Sequence, residues 1–202
     1  IRDRSQGFRL NFAKCNITEV LKETHVRFTS LAKQKGLDFT LQVPEKDFYA
    51  HVNQEAFTKI ISNLLNNGMK YAESYVHVML EAPQRDDNNL FRIRTVNDGV
   101  IIPDAMKEEI FKPFVRFNEQ EDGKVTTGTG IGLALSRSLA EFHLGTLVME
   151  AGEESNIFCL TLPVVQDTTI TLTPEAEVEI ERVNEIPAEQ AGKKDNCLLY
   201  TS

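Results

Sequence analysis

The sequence predicts an α+β fold with helices on one face of a mixed sheet, and three observations predict it. Two long segments carry apolar residues at helical spacing, and a third such segment follows a glycine-rich run. Five short segments alternate apolar and polar residues with period two or read as short apolar strands. The two kinds of segment interleave along the chain, as they do when helices layer onto a sheet. At 202 residues and 41% hydrophobic, the chain can build one packed core, and wholesale disorder is excluded.

Taken in order, Asn16 followed by Glu19 marks a helix start, with Glu19 placed to complete a capping box. Ile17, Val20, Leu21, Phe28, Leu31 and Ala32 then repeat at helical spacing until Gly36 stops the run. Residues 38–43 (DFTLQV) alternate as a strand. A second helix starts after Asn53, with Phe57, Ile60, Ile61, Leu64 and Leu65 on one face. Residues 75–80 and 90–96 flank the DDNN turn at 86–89 as a hairpin. A short helix is expected after Pro103, whose ring suits a first helical turn. A third long helix is expected from about Gly130 to His143, followed by strands near 146–150 and 157–162.

Charge is unevenly placed. The net charge is −8, but from Asp167 onward eight acids meet only three bases, and the segment from Thr168 has no aromatic residue before Tyr200. The folded part is therefore expected to end near Pro163. Residues 1–15 read as a linker or the end of a preceding domain, 16–165 as the folded domain and 166–202 as an acidic, disordered linker or tail. An acidic chain argues against nucleic-acid binding, since phosphate backbones demand clustered Lys and Arg. No apolar run approaches the ~20 residues that span a bilayer, so no membrane contact is expected from this stretch. Cys15, Cys159 and Cys197 are too few and too scattered for a disulfide framework or a zinc site, which favours a reducing, cytoplasmic setting. The chain opens on Ile1 rather than Met, as a piece of a longer protein would.

Two stretches break local rules. On the second helix Asn63, Asn67 and Lys70 stand at i, i+4 and i+7 on one polar face, and Asn66, Asn67 and Gly68 are poor helix formers in succession. An amide oxygen can ligate a hard cation and a lysine can reach phosphate, although a solvated helix end would look the same. Gly128, Gly130 and Gly132 precede the third helix, where bare backbone N–H groups can converge on an anion. No Gly-Lys-Ser/Thr follows them, which excludes a Walker loop, and a dinucleotide fingerprint would need its third glycine at Leu133.

In order, the chain carries NLLNNGMKYA (63–72), VNDGVIIP (96–103), IFKPFVRF (110–117) and GTGIGLAL (128–135), then FHLGTL (142–147) and FCLTLP (158–163). This resembles the ATP-binding catalytic domain of sensor histidine kinases, in the superfamily shared with gyrase, heat-shock chaperone and mismatch-repair ATPases. The resemblance covers about Ile17 to Pro163. It implies a two-layer α/β sandwich, the Bergerat-type ATP-binding fold, with a mixed, mostly antiparallel sheet and three main helices on one face. It also implies Mg-ATP held beneath a mobile lid. By motif, Asn67 would bind Mg2+, Asn63 would support it, Lys70 would reach the phosphates and Tyr71 would line the pocket. Asn97 falls where the family usually has the Asp that accepts from the adenine amino group, Gly99 would let the base approach, and Ile102 belongs to the same box. Phe111 and Phe114 would anchor the lid through 118–127, and Arg116 would face the phosphates. Gly128, Thr129, Gly130, Ile131, Gly132 and Leu133 would close over the phosphates and begin the next helix.

Several positions depart from the family pattern. Asn97 replaces an Asp, Ile101 a glycine and Gly68 an Ala, and ESNIF (154–158) lacks a glycine common before the last strand. Hydrolytic members carry a Glu one turn before the Mg-binding Asn. Here that position is Asn63, which cannot act as a general base at neutral pH. The resemblance therefore points to a histidine kinase passing the γ-phosphate to a histidine on its own dimerisation and phosphoacceptor domain, with a response regulator receiver domain downstream. The chain would be the cytoplasmic portion of a membrane-bound sensor. A serine-directed kinase of the same superfamily and a degenerate nucleotide-sensing module are the alternatives. None of His25, His51, His77 and His143 sits in the family's acceptor pattern, so the chain alone is not expected to phosphorylate itself.

Overall fold

A computed structural model describes residues 9–83, 89–115, 130–150, 152–166 and 170–171. In chain order the elements are β1 (Arg9–Leu10), β2 (Ala13–Asn16), α1 (Ile17–Lys35), β3 (Asp38–Gln42), β4 (Tyr49–Val52), α2 (Gln54–Tyr71), β5 (Tyr75–Glu81) and β6 (Leu90–Asn97). Two short 3₁₀ turns, Asp104–Met106 and Glu109–Phe111, lead towards α3 (Gly132–Phe142), and β7 (Thr146–Glu150), β8 (Asn156–Pro163) and β9 (Ile170–Thr171) follow. Five strands form the main sheet in the order β3-β5-β6-β8-β7. Only β3 and β5 pair in parallel, because the chain between them crosses over through β4 and α2. The other pairs are antiparallel, so the sheet is mixed and mostly antiparallel, as expected.

Alternation along the strands sets the layers. Val76, Val78 and Leu80 of β5 and Phe91, Ile93, Thr95 and Asn97 of β6 are buried, while the residues between them are half-exposed. Phe57, Ile60, Ile61, Leu64 and Leu65 of α2 belong to the same buried cluster and are at most 1% exposed. Each such side chain contributes about 1.5–3 kcal/mol on burial, so α2 is the central helix of the layer by weight of apolar surface. The other face of the sheet is half-exposed, and there Arg94 bridges Glu81 and Glu150.

The helix ends follow their local signals. Asn16 Oδ1 accepts from the Glu19 N–H at 3.1 Å. Gly36, at φ 70°, closes α1 in the left-handed conformation, and Leu37 N–H returns to the Ala32 carbonyl. Asn53 caps α2 by accepting from Ala56 N–H at 2.9 Å.

Three differences from the sequence reading have physical causes. The single helix expected after Pro103 is two 3₁₀ turns, because Pro113 holds Lys112 at φ −78°, ψ 143° and leaves no room for a full helix. The third helix begins at Gly132 rather than Gly130, because Gly130 sits at φ +69°. The expected boundary at residue 15 falls inside β2, which pairs with β4. Beyond Pro163 the chain still bonds to the fold: His51 N–H donates to the Val164 carbonyl at 2.8 Å, and Gln166 Nε2 donates to the His143 carbonyl. Within the segments read as linkers, Arg9–Leu10 pairs with Ile170–Thr171. Among the described residues no helix is long and apolar enough to cross a membrane.

Candidate nucleotide site

The polar face of α2 looks towards the start of α3. Asn63 Nδ2 donates to the Gly132 carbonyl at 3.2 Å and to Ser136 Oγ at 3.1 Å, and Ser136 Oγ returns to the Gly132 carbonyl at 2.8 Å. This network ties the first turn of α3 to the middle of α2. One turn further, the Asn67 side chain has no hydrogen-bond partner among the described residues, although it is partly buried. Lys70 follows, with Nζ 4.7 Å from the centre of the Tyr71 ring, and Tyr71 is partly exposed at the helix end.

Past that end the chain makes a tight turn that the sequence reading missed. The Asp98 carboxylate accepts from the N–H groups of Glu73 at 3.1 Å, Ser74 at 3.0 Å and Tyr75 at 3.1 Å, and from the Ser74 hydroxyl. Burial works against the charge, but the Ser74 hydroxyl and these backbone donors outweigh it and hold the carboxyl well below the usual carboxylate range. Nothing in the sequence marks this clamp, since its partners are backbone groups. Gly99, next in the loop, is required by a close approach: a Cβ there would lie 2.1 Å from the Tyr71 carbonyl oxygen. At this atom the loop runs directly against the end of α2.

Asn97 is 4% exposed at the end of β6. Its Oδ1 accepts from Gly99 N–H at 3.2 Å and lies 3.4 Å from Asn156 Nδ2. Asn156, which the sequence reading passed over, pins the whole loop: Oδ1 accepts from Ile102 N–H at 2.9 Å and Nδ2 donates to the Val100 carbonyl at 3.0 Å. Ile102 packs on the core, while Ile101 turns outward.

Phe111 is buried against Phe158, and the Arg137 guanidinium stacks 3.8 Å over its ring while bonding Glu108. Phe114 differs: it is 72% exposed and stands at φ 66°. Its N–H donates to the Gly130 carbonyl at 2.9 Å, and a Cβ on Gly130 would come within 3.0 Å of Phe114 Cα. Ile131 is buried and Leu133 packs on the core. Arg116, Gly128 and Thr129 lie outside the described residues, as does the expected lid at 118–127. Of the four histidines, His143 is fully buried with both ring nitrogens bonded, and His25 Nε2 meets the Phe39 carbonyl.

By fold, this is the class of histidine kinase catalytic domains. The catalytic domain of histidine kinase ThkA superposes with a TM-score of 0.66 at 24% identity, covering 76% of this chain and 96% of that one. Full-length ShkA in complex with AMPPNP gives 0.66 at 19% identity, covering 82% of this chain and 34% of that one. The chain belongs to the histidine kinase-, DNA gyrase B- and HSP90-like ATPase family, whose sequence pattern matches residues 52–178. Among sequence relatives, sensor histidine kinase WalK of Bacillus subtilis strain 168 is 27% identical over 150 residues, which is 70% of this chain and 24% of WalK. Sensor protein VanSC of Enterococcus gallinarum is 28% identical over 148 residues, 73% of this chain and 40% of VanSC. The chain thus spans well under half the length of these relatives. The resemblance read from the motif boxes and the fold class expected from them both hold.

Proposed function

We propose that this chain binds Mg-ATP along the polar face of α2 and transfers the γ-phosphate to a histidine on a separate phosphoacceptor domain of the same protein, which then passes it to a response regulator. The observation that carries the reading is Asn67. It is a partly buried amide, one turn from the Asn63–Gly132 bridge, that no described protein group satisfies. Mg2+ binds through one or two protein oxygens plus phosphates rather than through an all-protein cage, and a lone amide oxygen fits that demand. When bound, the ion neutralises charge on the phosphates as the phosphoryl group leaves. Lys70 supplies a point charge to the same oxygens, and Asn63 keeps the first turn of α3 at a set distance from α2. Asn63 is not a base, so water is not activated here, which favours transfer to a protein group.

Two comparisons support the kinase reading over a serine-directed kinase: the relatives carry sensor kinase names, and a solved neighbour is ThkA in complex with the response regulator TrrA. A place in the cytoplasmic portion of a membrane-bound sensor is part of the same proposal, supported by the relatives' names as sensors. None of the four histidines is followed by an acid, as the family's acceptor pattern requires, which supports an acceptor outside this chain. Calorimetry of the chain with Mg2+ and a non-hydrolysable ATP analogue is expected to show saturable heat, and no heat at high concentration would sink the reading.

A further inference from the structure

The amide of Asn97 is held in one orientation by the loop that follows it. Asn156 decides this first. Its Oδ1 accepts from the Ile102 N–H, and its Nδ2 donates to the carbonyls of Val100 at 3.0 Å and Gly99 at 3.3 Å. Backbone groups can play only one part, so the Asn156 amide cannot be turned over. Its Nδ2 therefore faces Asn97 as a donor, 3.4 Å from Oδ1, and the Gly99 N–H donates to the same oxygen. Turning Asn97 over would set its NH2 against two donors. The oxygen is thus used inside the loop, and Nδ2 has no hydrogen-bond partner among the described residues. Two residues earlier on the same inward face, Thr95 Oγ1 is buried and also without a partner. The inward end of β6 carries two polar groups that no described residue pairs.

We propose that Asn97 reads the purine base as a hydrogen-bond donor, so that the pocket favours a 6-oxopurine nucleotide over an adenine nucleotide. The inference rests on the nucleotide reading above, in which Asn97 stands at the base edge. A carboxylate at this position offers only acceptors and suits the 6-amino group of adenine. The locked amide offers NH2, which meets that amino group donor to donor and leaves both unpaired. The 6-carbonyl of hypoxanthine or guanine accepts from it instead. Sites that present a buried polar group discriminate strongly against a ligand that cannot pair it.

ADP and IDP differ at the 6 position and N1 alone, so the test is calorimetry of the chain with Mg2+ and each diphosphate. IDP is expected to bind about tenfold tighter than ADP, and Asn97→Asp to reverse the order. ADP binding as tightly as IDP or more tightly overturns the inference while leaving the nucleotide reading intact. Failure of both to bind overturns the two together. An Asn97→Asp chain that folds and keeps the wild-type order removes the assignment to Asn97, and the wild-type order alone decides if that variant does not fold.

Discussion

The two ends of α2 are secured by opposite chemistries. At its N-terminus the lock is neutral and buried. His143 Nε2 accepts from the Asn53 N–H at 3.2 Å, so Nδ1 carries the proton and donates to the Leu139 carbonyl at 2.7 Å. Asn53 Nδ2 meets the Asn11 carbonyl and its Oδ1 the Ala56 N–H, so both polar atoms of its side chain have a protein partner. At the C-terminus the lock is an ionised carboxylate, Asp98, and the polar side chain one turn before the end, Asn67, bonds to nothing described. A helix pinned at its N-cap and through the turn that follows its last residue tolerates an unsatisfied side chain near one end. That surplus of polar valence distinguishes the end proposed to hold the nucleotide from the other.

Asn67→Ala probes the surplus directly. The side chain supports no described protein group, so its loss should act on the proposed phosphoryl transfer, which is expected to fall on the order of 10²–10³-fold, the scale for losing one preorganised polar group. The melting temperature of the chain should move little, and a large drop would recast Asn67 as structural. Asp98→Ala sharpens the contrast from the other side. It leaves the Glu73, Ser74 and Tyr75 N–H groups without their shared acceptor and is expected to cost about 2 kcal/mol, readable by urea unfolding. The smallest effect is in pH. Burial, only partly offset by the bonds to Leu139 and Asn53, lowers the His143 pKa. The unfolded chain therefore takes up this proton first, and stability present above about pH 6.5 is lost as pH falls below it, by at most about 1.4 kcal/mol per pH unit. The Asp98 carboxyl is also lowered, so its contribution is full above the ordinary carboxylate range and is lost progressively as pH falls through and below that range. Thermal melts of wild type and His143→Gln from pH 8 to 5 check this, and parallel curves would remove His143 as the titrating group.

Most of the fold was legible because its elements bury apolar residues at regular spacing. Phe57, Ile60, Ile61, Leu64 and Leu65 announce α2, and the alternation of 75–80 and 90–96 announces the central hairpin. What escaped was non-local. Ala13–Asn16 has no strong pattern of its own and becomes a strand only by pairing with Tyr49–Val52. Nothing beside His143 in the sequence announces that Phe12 packs edge-on against it and that Gln166 bonds its carbonyl. The candidate site divides in the same way. Asn63, Asn67 and Lys70 declare themselves by spacing on one helix. Asp98 and Asn156 act on backbone groups distant in sequence, a role that side-chain chemistry alone does not betray.

One hydrogen bond, from the Phe114 N–H to the Gly130 carbonyl, has a consequence for how this sequence can change. It brings the two ends of an intervening stretch together independently of what that stretch contains. The entropy of closing a chain segment grows only with the logarithm of its length, about 0.6 kcal/mol for each doubling. Insertions and deletions between those two anchors should therefore be nearly neutral to stability. A reporter peptide spliced in between them is expected to leave the sheet and the three helices undisturbed.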